Sequence, residues 1–250
     1  MISVRILLAS TLLLLTSHGS LRAEDMAPAP TPAQALIVKL EAAKTARDTA
    51  AWTAALGEVG GLWAACDESD KKALAASVGH GVKAKDEGVQ IAAIQAFVAT
   101  KDGEAAWKGG LKGALPDAKA EAASVPELRA LEALKDLHPE GAVSALLALV
   151  QKAKDVKASA AALVALGGYE RSKQRVTILT ELVQTLRNAM PSRSSAGVLS
   201  KSPRWDEMGP VAAPALNELT GRKEGDFRAW LQLYDENKKK PAALFLNPLD

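Results

Sequence analysis

The sequence predicts an all-α chain, an α-solenoid of stacked helix pairs with no sheet, and three observations carry that prediction. A short phrase recurs as Ala93-Ile94-Gln95-Ala96-Phe97, Ala130-Leu131-Glu132-Ala133-Leu134 and Ala162-Leu163-Val164-Ala165-Leu166, with a weaker copy at Ala215-Leu216-Asn217-Glu218-Leu219. The first three copies start 37 and 32 residues apart, and each precedes a second helical segment. That is the period of helix-pair repeats, in which one unit cannot bury its apolar face alone and must stack on its neighbours. From Ala33 onward the composition is rich in Ala, Leu and Lys, with few β-branched or aromatic runs. No segment sustains the apolar/polar alternation of a strand.

Taken in order, the chain opens on Met1-Ile2-Ser3-Val4-Arg5, an apolar run from Ile6 to Leu15, and a polar stretch ending in Leu21-Arg22-Ala23. This is the layout of a secretory signal peptide over residues 1–23. The apolar run is about 10 residues long, whereas a membrane span needs about 20. Cleavage is expected after Ala23, with an uncleaved anchor as the alternative, and no Cys near the junction offers a lipid attachment point. No later segment is long and apolar enough to span a bilayer, so no stable membrane insertion is expected after cleavage. Export places the chain in the periplasm or outside the cell.

Cleavage also changes the charge. The full chain has 31 Lys plus Arg and 29 Asp plus Glu; loss of Arg5 and Arg22 leaves 29 of each. The clustered basic surplus of a nucleic-acid binder is therefore missing. Lys238-Lys239-Lys240 reads as a solvated stretch. Cys66 is the single cysteine, so an internal disulfide is impossible. Its surroundings, Leu62-Trp63-Ala64-Ala65-Cys66, favour a packed, inert thiol.

A Pro/Ala-rich spacer covers residues 24–33 (Met26-Ala27-Pro28-Ala29-Pro30-Thr31-Pro32 within it), a single helical repeat domain residues 34–240, and a tail residues 241–250. Helices are predicted at 33–47, 49–65, 69–82, 87–100, 103–114, 125–137, 140–153, 156–167, 171–189, 207–220 and 226–238. Val143, Leu146, Leu147 and Val150 follow the spacing of one apolar stripe, as do Val176, Leu179, Val183 and Leu186. Pro126 and Pro139 suit first-turn positions. Asp155 and Ser124 suit N-caps, and Gly167-Gly168 a helix stop. Two regions break the rhythm. Gly57, Gly60, Gly61, Gly79, Gly81, Gly109, Gly110 and Gly113 imply either irregular helices or close helix approach in the N-terminal half. Residues 191–205, Ser-rich with Arg193, Lys201 and Arg204, exceed a normal connection.

The repeated phrase and paired helices resemble HEAT-like repeats of exported bacterial proteins, over residues 86–220. Ala215-Leu216-Asn217-Glu218-Leu219-Thr220-Gly221, continuing through Phe227, Trp230 and Tyr234, resembles the closing unit of such proteins (residues 215–238). Uneven repeat spacing and the lack of a regular Asp/Arg ladder are departures that bear on curvature and repeat count. The resemblance implies armadillo-like architecture and a binding or scaffolding role, and it carries no catalytic residues.

The residues that carry chemistry are few. The mature chain has two histidines, His80 in Gly79-His80-Gly81 and His138 before Pro139, both read as turn residues at helix ends. One Cys and two separated His are too few for a structural zinc site, so no metal and no cofactor are expected. No H-E-x-x-H, G-x-S-x-G or G-x-x-x-x-G-K-[ST] occurs. The candidate interaction surface is Arg171, Arg175, Gln184, Arg187 and Asn188, a polar and mildly basic ridge on the helix at 171–189, with Trp205 and Trp230 as candidate sugar-stacking rings. The expectation is an exported, non-enzymatic module that binds a protein partner in the envelope or extracellular space. A cell-wall or glycan binder, or an enzyme of unfamiliar type or its accessory subunit, is the alternative.

Overall fold

In the computed structural model, residues 29–192 and 202–247 are described. The expected signal peptide, residues 24–28 of the spacer, residues 193–201 and residues 248–250 lie outside them. From Thr31 onward the described chain is one compact unit. It is all-α, without a strand among the described residues. Its helices are α1 (Pro32–Ala46), α2 (Thr49–Gly57), α3 (Val59–Trp63), α4 (Glu68–Val82), α5 (Glu87–Thr100), α6 (Gly103–Gly109), α7 (Val125–Leu137), α8 (Val143–Lys152), α9 (Val156–Gly167), α10 (Arg175–Ala189), α11 (Pro203–Thr220) and α12 (Phe227–Asn237). Short 3-10 turns occupy Leu111–Ala114, Glu140–Ala142 and Pro241–Leu244.

Most helix starts are written in the sequence. Asp48, Asp67, Asp86, Asp102, Asp155 and Asp226 each accept a hydrogen bond from a backbone N–H of the first turn that follows. A carboxylate there satisfies an orphan donor and meets the positive end of the helix dipole. Thr31 and Ser124 form capping boxes with Gln34 and Glu127.

The helices pack in two rows. One row runs through α2 and α3 to α5, α7, α9 and α11, each touching the next. The other runs from α1 to α4 and α6, then through the turn at Glu140–Ala142 to α8, α10 and α12. Pairs such as α1 with α2, α4 with α5, α8 with α9 and α10 with α11 join the rows. All four copies of the recurring phrase fall in the first row. Their alanines and large apolar residues (Ala93, Phe97, Ala130, Leu134, Ala162, Leu166, Ala215, Leu219) are buried. This succession is the packing order of stacked helix pairs.

Close approach explains several of the glycines. A Cβ on Gly79 of α4 would sit 1.9 Å from the Gly109 carbonyl oxygen at the end of α6. Gly110 follows with φ +146°, a conformation L side chains rarely adopt. Helix 103–114 therefore stops at Gly109 and continues as a 3-10 turn. Between α9 and α11, Gly167 meets the Ala215 backbone, where an added Cβ would lie 3.0 Å from Cα and O.

Other bounds differ from expectation. Helix 49–65 is broken at Glu58 into α2 and α3, and 140–153 opens with a 3-10 turn. Pro139 precedes that turn instead of entering the helix. His80 lies inside the last turn of α4. Helix α11 begins at Pro203, earlier than expected, so Arg204 and Trp205 are helical. The expected tail is docked through residue 247: Leu244 is fully buried, and the Leu246 N–H donates to the Thr220 carbonyl at 2.9 Å.

Candidate functional site

The ridge expected on the helix at 171–189 is divided by the structure. Helix α10 starts at Arg175 because Glu140 organises the turn before it. The Glu140 carboxylate accepts from the Ser172 hydroxyl at 2.9 Å, the Lys173 backbone N–H at 3.1 Å and the Gln174 amide at 3.3 Å. Arg171 is left exposed in that turn, with only a 3.8 Å contact to Glu170.

Arg175 does not belong to the surface. It is 8% exposed, and its guanidinium donates to the Glu170 carbonyl at 3.2 Å and the Asn247 carbonyl at 2.6 Å. The same group lies 4.5 Å from the Phe245 ring centroid, a cation–π contact. Helix arithmetic explains this. Arg175, Leu179, Leu182 and Leu186 recur at helical spacing, so Arg175 begins the buried stripe of α10. Its role is to hold the docked C-terminal segment.

Gln184 and Asn188 are exposed, one turn apart on α10, and joined by a 3.1 Å bond from the Gln184 amide to Asn188 Oδ1. Arg187 points to α12, where it pairs with Asp235 at 2.6 Å. Gln184 and Asn188 line an open groove of about 370 Å³ with Gln151 of α8, Glu181 and Thr185 of α10, and Arg204 of α11. The Gln151 amide donates to Glu181 at 2.9 Å. The Gln151 and Gln184 carbonyl oxygens and the Asn188 amide nitrogen bond to none of the described residues.

Arg204, a basic residue of the Ser-rich stretch in the sequence, also lines this groove. Its guanidinium donates to the Ala153 carbonyl at 3.3 Å, the Ser159 hydroxyl at 3.2 Å and the Val150 carbonyl. A cation thus closes the carboxyl end of α8, where orphan carbonyls and the negative end of the dipole favour it. Burial pulls its pKa down from the ordinary arginine value. The Ser202 N-cap, whose Oγ accepts from the Trp205 N–H, was the sequence signal that could have placed Arg204 on a helix.

The two tryptophans also part company. Trp230 is fully buried, and its indole N–H donates to Asn217 Oδ1 at 2.9 Å. Asn217 additionally accepts from the Glu224 N–H and donates to the Glu224 carbonyl, both at 2.9 Å. Trp230 is therefore a seal between α11 and α12 and is withdrawn as a sugar-stacking ring. Phe227 is buried beside it, and Tyr234 packs against the same core. Trp205 is half-buried and lines a cleft of about 430 Å³ between α11 and α12.

Compared with family models, curated proteins and solved structures, the chain matches none. Its own geometry has to carry the functional reading.

The reactive side chains have local structural partners. His80 Nδ1 lies 2.9 Å from both Glu41 Oε1 and Lys44 Nζ, tying α4 to α1. His138 ends α7 at φ 48°, with its ring edge-on to Tyr169 at 5.5 Å. Desolvation by this packing lowers its pKa despite the nearby Asp136 and Glu218 carboxylates. Cys66 is half-buried; its thiol donates to the Leu62 carbonyl at 3.3 Å, and burial, helped by Asp70, pushes its pKa up. A raised thiol pKa keeps the nucleophilic thiolate scarce. Among the described residues no three His, Cys, Asp or Glu side chains are grouped to hold a metal. Nor is any described helix long and apolar enough to cross a membrane.

Proposed function

We propose that this chain is an exported, non-enzymatic interaction module built on HEAT-like helix pairs, and that it holds a polypeptide partner in the groove between α8 and α10. The observation that carries this reading is the groove's lining of amide side chains with unused hydrogen-bonding capacity. Gln151, Gln184 and Asn188 each offer a donor and an acceptor in a fixed pair, the same combination a peptide unit presents. Residues on stacked helices can follow an extended chain in this way, and side-chain amides satisfy its backbone without demanding a particular sequence. The position of the groove supports the same reading. It belongs to the row of helices that lacks the recurring phrase, while the phrase-bearing row supplies the packed support. Export rests on the signal-peptide pattern of residues 1–23. The non-enzymatic part rests on the structural employment of His80, His138 and Cys66.

The test is affinity capture by residues 24–250 from the envelope extract of the chain's own host, with mass-spectrometric readout, beside the double variant Gln184→Ala, Asn188→Ala. Both side chains are exposed on α10, so the variant keeps the fold. A stoichiometric partner retained by the native chain and lost by the variant is expected. Equal retention by both chains would place binding elsewhere and overturn this reading.

A further inference from the structure

The cleft between α11 and α12 has a composition that neither the packing nor the α8–α10 groove uses. Trp205 lines it. On one side the indole meets Phe227, with ring centroids 5.4 Å apart and planes at 54°. Along α11 it meets Gly209, where an added Cβ would lie 2.8 Å from Cε2 of the ring. These contacts fix the ring while leaving it half-exposed in an open cavity of about 430 Å³. Pro210, Asp206, Asp226 and Arg228 complete the walls. Asp206 and Arg228 form no ion pair or side-chain hydrogen bond with any described residue. Asp226 spends one oxygen on the Ala229 N–H at 2.9 Å, and its other oxygen has no partner among the described residues.

We propose that this cleft is a saccharide-binding site for a neutral β-linked glycan of glucose configuration. A pyranose with equatorial hydroxyls turns its axial C–H bonds to one flat face. Those weakly positive hydrogens suit the negative π-cloud of an indole. Its rim of hydroxyls then needs acceptors and donors around the aromatic platform, which Asp206, Asp226 and Arg228 supply. A proline-rich peptide is the competing occupant of a tryptophan cleft. Prolyl residues offer no N–H donors, so the Asp206 and Asp226 carboxylates would be desolvated without return, and only Arg228 would find partners, the peptide carbonyls. The charged surround favours the sugar. This site shares no residue with the α8–α10 groove, and the two assignments stand or fall separately.

The test is isothermal titration of residues 24–250 with cellotetraose and with chitotetraose, both β-1,4-linked. The variants are Trp205→Leu and Asp206→Ala, each compared with the native chain by circular dichroism and melting. Binding of at least one glycan is expected with a dissociation constant of about 1 mM or tighter. Trp205→Leu should weaken it at least tenfold, and Asp206→Ala at least threefold. Asp206 is exposed and without a partner, so its variant decides the matter should Trp205→Leu disturb packing. No heat with either glycan, or glycan affinity unchanged in Asp206→Ala, would overturn the proposal. Binding of an (Ala-Pro)4 peptide in the cleft in place of both sugars would do the same.

Discussion

The two rows of helices are built on different terms. In the row of α5, α7, α9 and α11, the same phrase recurs, weakened in α11, and a glycine lets α9 lie close on α11. In the row of α1, α4, α6, α8, α10 and α12, the contacts are of different kinds. There α4 meets α6 through glycine backbones, Arg204 of α11 closes the end of α8, and Arg187 links α10 to α12. The first row is a spine whose recurring alanines and large apolar residues are buried against its neighbours, while Gln95, Arg129, Glu132 and Asp136 line an open groove on its outer face. The second row likewise has one face on the spine and one face free, and its contacts are local polar arrangements and close backbone crossings. Both candidate binding regions involve this second row.

Substitutions should separate the rows by size of effect. Leu163 sits in the spine phrase and is fully buried. Leu163→Ala should lower stability by roughly 2–5 kcal/mol, as truncation of a buried leucine in a close-packed core does, read as a shift in urea midpoint. An effect under about 1 kcal/mol would mean that the spine is loosely packed. Gly79→Ala probes the glycine crossing in the other row. Because the neighbouring atom is a backbone oxygen, α4 and α6 must separate, at a cost of roughly 1–3 kcal/mol. A neutral result would show that the crossing is open enough for a methyl group. Asn217→Ala would leave the Trp230 indole N–H buried without an acceptor, at roughly 1–3 kcal/mol. The exposed Arg187–Asp235 pair should matter least: Arg187→Ala should change stability by about 0–1 kcal/mol.

The pH dependence offers a finer probe. Folding lowers the pKa of His138, so the unfolded chain takes up its proton first as pH falls. The contribution is complete above about pH 6.5, the ordinary histidine value. It declines as pH drops from there toward the depressed folded value. His138→Asn keeps a residue that tolerates the left-handed conformation at this helix end and should flatten the stability profile below about pH 6.5. An unchanged profile would assign that slope to other groups.

The difference between the rows also explains what was legible in the sequence. The spine was readable because stacking each helix on the next buries the same residue types at the same spacing. Helices 87–100, 125–137 and 156–167 match to the residue, and the Asp155 and Ser124 caps fall where expected. Glycines of the N-terminal half raised two possibilities, and both occur: helices approach closely at Gly60, Gly79, Gly81 and Gly109, and helices are interrupted after Gly57 and Gly109. What was hidden depends on tertiary partners. Arg175 looked like a surface cation because charge outweighed its place in the heptad-like stripe, and the chain that covers it comes from residues 245–247, some 70 positions later. The spacing of Phe227, Trp230 and Tyr234 put Trp230 on a sealing helix face, and the sugar-stacking alternative stayed open because the acceptor of its indole, Asn217, is in another helix. The Arg204 contact with the end of α8 spans 51 positions and leaves no local pattern to read.

Hydrogen–deuterium exchange on residues 24–250, alone and with the partner captured from the envelope extract, tests the central claim most directly. The account predicts that α5, α7, α9 and α11 exchange slowly in both samples, and that the partner adds protection to α8 and α10 along the Gln151–Asn188 groove. New protection confined to other helices, or none, would contradict the assignment of that groove as the binding surface.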